Sequence, residues 1–230
     1  VVVVSALVQI CSTNKDYLAG ELNIYNLVNF DLFDGVIVTP IPMTEEQNYT
    51  LLNSLLKKVQ KECKVPVVSV DMEFGDYPVI FTDDESAFFH ITEHLITKHN
   101  CKNISVLGGF SQVNLSESRL KGIKKSMEKH GLELKQEQIH KGDFWYTSGE
   151  LLGNRFVTGE IPLPEAVICL SDHMAIGLTN YLIKHGINIP EQLIVTGYEA
   201  VREASINTPP ITSYAADQTK TGSLAVNYIH

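Results

Sequence analysis

Asp71, Arg119, Trp145, Ser171 and Asp172 have the types and positions expected of a grip on a small polar molecule. Asp71 closes the apolar run VPVVSVD, and Ser171 with Asp172 follows the run AVICL. In open α/β sheets, ligands bind outside the carboxyl ends of strands, where helices also begin. Arg119 falls in the first turn of a helix expected over residues 116–130. A cation there opposes the helix dipole, so it needs another reason to be present. Bidentate bonding to vicinal ligand oxygens, or to a nearby carboxylate, supplies one. Trp145, the only tryptophan, offers a flat apolar platform. Each residue also has a plainer reading: a turn cap for Asp71, a solvated surface charge for Arg119, core packing for Trp145 and a helix N-cap for Asp172.

Other patterns point away from catalysis and metals. His90 and His94 flank Glu93 in HITEH, which is not the H-E-x-x-H zinc motif, and no third ligand is evident. No pairing of a nucleophile with a base emerges, so the chain is expected not to be an enzyme. The triplets NYT, NIS and NLS match the glycosylation pattern by chance, two of them beside expected helices. GGF after Leu107 lacks the later glycine and the Lys-Ser/Thr of a phosphate cradle. No cofactor is expected. Cys11, Cys63, Cys101 and Cys169 are widely spaced beside apolar runs and read as buried thiols rather than a disulfide framework.

The elements that must position these residues alternate. Strands are expected over 1–4, 7–10, 35–38, 67–70, 79–81, 104–107, 166–170 and 193–196; helices over 45–62, 86–98, 116–130, 148–158, 173–185 and 219–229. Val/Ile-rich runs alternating with apolar residues spaced by three and four are the pattern of βαβ units on a parallel sheet. Gly131 and Gly186 fall where left-handed C-caps are wanted. One place breaks the pattern: the runs 1–4 and 7–10 are separated by Ser5 and Ala6 alone. Parallel neighbours need a crossover of about a dozen residues or more, so a segment is expected to be missing after about Ser5. The helical pattern is likewise cut short at His230.

At 230 residues and 44% hydrophobic, the chain can bury a large core and suggests two lobes. A net charge of −9, with no Lys/Arg-rich run, argues against a direct grip on nucleic-acid phosphates. The apolar runs are too short to span a membrane, and no leader opens the chain; a cytoplasmic protein without membrane contact is expected.

Seven segments occur in an order that resembles one known family: DGVIVTP, VPVVSVD, FTDDESAFFHITEHLITKHNCKNISVLGG, SRLKG, GDFWYTSG, AVICLSDHMAIG with HGINIPEQLIVTGYE, and PPITSY. Together they resemble the effector-binding domain of LacI/GalR regulators. That resemblance implies an α/β fold of the periplasmic-binding-protein-like type I, with two doubly wound parallel-sheet lobes joined by hinge strands. The N-terminal lobe would be residues 1–82 plus 214–230, and the C-terminal lobe 84–212. Residues 82–84 and 213–217 would be hinge strands. It implies a cleft ligand, by family expectation a sugar, whose hydroxyls call for carboxylates, amides or guanidinium and whose ring face calls for an aromatic.

On the matching positions, Thr39 would point into the cleft, although it also reads as a turn residue before Pro40. Phe144 would stack on the ligand, with Trp145 adjoining, unless both are lobe core. Ser171 stands where the family usually has Asn, Glu199 where it usually has Asp, and Ala216 at an often polar position. The hydrogen-bonding pattern offered to the ligand must therefore differ from that of a typical relative.

The function implied is a small-molecule sensor, a homodimer whose cleft closure switches an output domain. DNA would be bound only through a helix-turn-helix domain absent from these residues. The segments NIYNLVNFDLFDGVIV, KHNCKNI and VTGYEAVREA also resemble sensors that precede a GGDEF diguanylate cyclase, and a transporter's solute-binding protein would share the fold.

Overall fold

The computed structural model describes residues 29–39, 57–73, 75–108 and 114–230. The expected strands over 1–4 and 7–10, the expected gap after Ser5, Cys11 and most of the helix expected over 45–62 lie outside the described residues; of that helix, residues 57–62 are helical. The chain divides into two compact units, residues 1–82 with 217–230 and residues 83–216.

The first unit carries a parallel sheet of β1 (Val36–Val38), β2 (Val67–Val70) and β3 (Val79–Ile80), in that spatial order. β-Branched residues fill these strands because they pack well on a pleated, buried surface. Val67, Val59 and Phe30 form its small core, with Val36, Val38 and Tyr77 packed against them. The C-terminal helix α6 (Gln218–Ile229) also belongs here, capped by Asp217, whose carboxylate accepts from the Lys220 amide at 2.9 Å.

The second unit is a five-stranded, wholly parallel sheet. Its strands are β4 (Ile104–Gly108), β5 (Ile139–Lys141), β6 (Ala166–Cys169), β7 (Ile194–Tyr198) and β8 (Thr212–Tyr214), in the spatial order β5-β4-β6-β7-β8. The helices are α1 (Asp84–His99), α2 (Asn114–Lys129), α3 (Tyr146–Val157), α4 (Asp172–Lys184) and the short α5 (Arg202–Ile206). β4 leads outward to β5, and the chain then returns to the other side of β4 to lay down β6. The order therefore reverses between β4 and β6, the kind of switch point at which open sheets bind ligands. β4 and β6 are buried throughout, as expected of central parallel strands covered on both faces. Gly131 and Gly186, at φ +69° and +82°, end α2 and α4 in the left-handed conformation that the sequence led one to expect.

Three details differ from the sequence reading. β5, sequence IHK, is a short strand with a buried histidine and no apolar run to announce it. β8 completes the second sheet instead of serving as a hinge strand, in register with β7 from Thr196↔Thr212 to Tyr198↔Tyr214. The segments 81–83 and 215–217, where the chain passes between units, lie in no strand, because Asp83 and Asp217 each cap a helix that starts at once.

Helices α3 and α4 meet at two glycines. A Cβ on Gly149 would lie 2.2 Å from the Met174 carbonyl oxygen, and one on Gly177 would lie 2.2 Å from that of Tyr146. Both obstacles are backbone and cannot swing aside. Gly177→Val is therefore expected to destabilise the protein by about 3 kcal/mol, the upper end of overpacking costs. Gly222→Ala, on an exposed turn of α6 with no described atom within 4 Å of the new methyl, should stabilise by about 0.5–1 kcal/mol. Urea unfolding of both variants gives the comparison.

Candidate ligand site at the edge of the second sheet

Arg119 begins the site. Because α2 starts at Asn114, this residue lies in the second turn and not the first, so the dipole argument for it loses force. What holds it is another helix. Gly122, three residues on and on the same face, lets α2 approach α1 so closely that a Cβ there would sit 2.1 Å from the Glu85 carbonyl oxygen. Arg119 thereby reaches the first residue of α1: its Nε donates to Asp84 Oδ2 at 2.8 Å, and Nη1 donates to the Leu170 carbonyl at the end of β6, 2.7 Å away. The two charged side chains are only 7% and 3% exposed. Tyr198, at the end of β7, donates its hydroxyl to Asp84 Oδ1 at 2.5 Å, and its ring lies 4.6 Å from the guanidinium carbon. Phe88 and Phe144 complete an aromatic surround at 5.6 and 5.8 Å. Among the described residues Nη2 makes no hydrogen bond.

Phe144 is held at φ +66°, a conformation a bulky residue adopts only when its surroundings over-determine it. Here they do. The Asp143 carboxylate accepts from the Trp145 amide at 2.9 Å and from the Ser148 hydroxyl, and Ser171 Oγ donates to the Phe144 carbonyl at 3.0 Å. Ser171 is also the N-cap of α4, accepting from the Met174 amide at 3.3 Å. Its buried hydroxyl is thus committed to positioning Phe144 and starting α4. The capping role considered for Asp172 falls to Ser171. Asp172 is fully buried, and one carboxylate oxygen accepts from the Val201 amide at 2.8 Å. Burial raises its pKa, while hydrogen bonds from Ser213 and Val201 pull it back. Trp145 turns to other rings, stacking on His173 at 4.7 Å and 24° and meeting Tyr146 edge-on. Of the two aromatics, Phe144 is the one beside Arg119.

Glu199 follows β7 at φ +101°, half-buried, and its amide donates to the Tyr214 carbonyl at 3.1 Å. Burial pushes its carboxyl up to about 7; Arg119 opposes that shift, whereas Asp172 and Asp84 add to it.

Thr39 and Asp71 belong to the first unit, just past the ends of the neighbouring strands β1 and β2. Thr39 is exposed. Asp71, at φ +54°, accepts from the Thr82 amide at 2.5 Å and the Thr82 hydroxyl at 2.8 Å, so both its oxygens tie the end of β2 to the chain beyond β3. Asp84 and Tyr198 escaped the sequence reading. Their signal was a helix-start acid in FTDDE and a strand-end tyrosine in VTGYE, each with an ordinary structural explanation.

Elsewhere, His94 faces His99 with 3.2 Å between ring nitrogens, and Glu93 pairs with Lys129 and His130; no metal-binding cluster occurs among the described residues. Cys63, Cys101 and Cys169 are free thiols, and burial raises the pKa of the last two. No described helix is long and apolar enough to cross a membrane.

Residues 92–230 match the periplasmic binding protein-like domain family. The chain belongs to this family. Within it, the chain is an effector-binding domain of the LacI/GalR type. It is 29% identical to the HTH-type transcriptional repressor PurR of Glaesserella parasuis serovar 5 over 95% of its own length and 61% of that protein's. It is 28% identical to catabolite control protein A of Staphylococcus xylosus over 89% of its length and 59% of that protein's. This LacI/GalR domain superimposes on a transcription regulator from Lactobacillus plantarum with a TM-score of 0.71 at 27% identity, covering 94% of this chain and 77% of that one. A structure described as a sugar-binding transcriptional regulator of the LacI family from Escherichia coli, complexed with phosphate, has the same fold at 20% identity and TM-score 0.70, covering 92% of this chain and 73% of that one. The chain spans 40 to 61% of the length of curated relatives that it matches.

Two outcomes are expected of the apo domain. Arg119→Met strands a buried carboxylate and should cost about 3–5 kcal/mol, whereas Arg119→Met combined with Asp84→Asn should recover most of that loss. Denaturant unfolding of the two singles and the double measures the coupling. For Glu199, a folded-state pKa raised from 4.5 to about 7 means that the folded state binds the proton more tightly. Its contribution to stability is fully present below about pH 4.5 and is lost as pH rises through about 7. Glu199→Gln should flatten that part of the stability profile.

Proposed function

We propose that this chain is the effector-binding part of a LacI-family transcription regulator and that its effector is a small, polar, ring-bearing molecule, with a sugar as the leading class. One observation carries the reading: Arg119, Phe144, Ser171, Asp172 and Glu199, drawn from separate elements, gather at the carboxyl edge of the second sheet beside its switch point. Arg119 and Glu199 present hydrogen-bonding groups, and Phe144 presents an apolar face. Asp172 and Ser171 fix the backbone around them. Thr39 and Asp71 end strands of the first unit, and Trp145 adjoins Phe144; we retain them as ligand-site candidates.

The partly buried Phe144 ring beside the guanidinium also suits a nucleobase, with its flat aromatic face and polar edge, and that is the competing ligand class. The relatives' description as repressors supports an effector that binds one of two states better and so switches an attached output. On this reading the protein acts as a homodimer, catalyses no reaction, and contacts DNA through a helix-turn-helix that these 230 residues do not include.

Thermal denaturation against a panel of hexoses, pentoses and nucleobases tests the proposal. The matching class should raise the melting temperature, since ligand at about 100 times Kd adds about 2.7 kcal/mol. Phe144→Gly removes the ring while suiting the positive φ, so the fold should persist and the ligand-dependent shift should disappear. A full shift in that variant, or no response to any ring in the panel, overturns the assignment.

A further inference from the structure

We propose that His94 and His99 form a two-imidazole binding site for a divalent transition metal ion, separate from the effector site. Both residues stand near the carboxyl end of α1, both are exposed, and their Nε2 atoms lie 3.2 Å apart.

Helix spacing does not force this meeting. Residues five apart stand about 140° from one another around the axis and normally face different ways. His90, four residues before His94, is the neighbour that spacing favours, yet its ring meets Phe89 edge-on at 5.7 Å. His99 reaches His94 because it is the last residue of α1. Side chains lean back toward the start of a helix, and the chain leaves through Asn100 in the left-handed conformation, so no further turn follows His99.

The separation suits two ligands of one ion. Imidazole nitrogens bind zinc at about 2.0–2.1 Å, so a spacing of 3.2 Å sets an N–metal–N angle of roughly 100–105°, close to tetrahedral. The ring centroids are 5.0 Å apart and the ring planes cross at 68°. Rings aligned nitrogen to nitrogen along one line would hold their centroids farther apart. They are therefore inclined to that line, as two ligands of one ion must be.

The surroundings decide what kind of ion fits. Glu93 is turned to Lys129 and His130 of α2, at 2.9 and 3.0 Å, and no third histidine, cysteine or carboxylate joins the pair among the described residues. Water would fill the remaining positions, as at other open sites. Lys98 brings a like charge beside His99, and the partial negative charge at the carboxyl end of α1 offsets it. Imidazole ligands suit zinc, nickel and copper, whereas magnesium and calcium call for oxygen. The ion would clip the last turns of α1, roughly 15–20 Å along the helix from Asp84.

Titration calorimetry of the whole chain with zinc chloride, and with magnesium chloride as the contrast, tests the proposal at pH 7.5. Zinc should bind at a saturable site and raise the melting temperature, and magnesium should do neither. His94→Gln and His99→Gln should each weaken zinc binding about tenfold or more, because either loses the second, intramolecular contact of the chelate. The double variant should lose little more than each single, since the two rings act as a unit. His90→Gln and His130→Gln should bind zinc as the parent does. All these side chains lie at the surface, and circular dichroism checks that each variant folds. Absence of saturable zinc binding, binding that survives both single substitutions, or a loss in His90→Gln as large as that in His99→Gln overturns the proposal and leaves the effector site standing.

Discussion

The second unit is organised around one buried ion pair. Removing a guanidinium and a carboxylate from water costs several kcal/mol per ion, and their attraction repays this only when geometry is good and the remaining donors and acceptors are met. Here four separate elements meet those needs: α1 supplies Asp84, α2 supplies Arg119, the end of β6 supplies the Leu170 carbonyl and the end of β7 supplies the Tyr198 hydroxyl. Such a network fixes register more than it adds stability. A sliding of α2 by one residue would place Arg119 on another face and strand Asp84. Gly122 is part of the same device, because only a residue without a side chain lets α2 approach the backbone of α1 at Glu85.

That constraint propagates to the carboxyl edge of the second sheet. Leu170 is followed by Ser171, whose hydroxyl reaches Phe144 and whose oxygen starts α4; the Phe144 ring returns to the guanidinium. The positive φ of Phe144 is strain held by these contacts, and it places a ring where a turn built on glycine would have none. A surface that is ordered before a ligand arrives spares the binding energy that ordering it afterwards would cost. The buried pair and the Ser171 bridge supply that rigidity from the protein's own groups.

The elements were legible because their periodicities are strong. Every helix expected from residue 86 onward is present, with ends shifted by a few residues, and β2 spans the residues expected of it. What stayed hidden was short or ambiguous. IHK has no run of apolar residues, yet its histidine is buried in a strand, with a pKa lowered to about 4 by burial and by Arg155. TSY, whose last two residues fall in the segment read as a hinge strand, instead closes the second sheet, with two of its residues exposed at the edge.

For the site, Arg119 was singled out on a dipole argument that the longer helix removes, and burial with Asp84 is the better reason for its presence. Asp84 could not be found from sequence, since an acid at a helix start is ordinary and its partner lies 35 residues away. Phe144 is preferred over Trp145 through family resemblance alone; in the structure its ring lies 5.8 Å from the Arg119 guanidinium carbon, whereas Trp145 stacks on His173.

The departures from the family pattern at Ser171 and Glu199 are of different kinds. The serine hydroxyl at 171 is used twice inside the protein, donating to the Phe144 carbonyl and accepting from the Met174 amide, so it adds internal order. Glutamate at 199 adds a methylene, which carries its carboxyl farther from its own backbone than aspartate would. Placed there, the carboxyl has its proton affinity raised first by burial, with Arg119 opposing and Asp172 and Asp84 adding to the shift. One residue turns its polar group inward, and the other carries a carboxyl for which no hydrogen-bond partner occurs among the described residues.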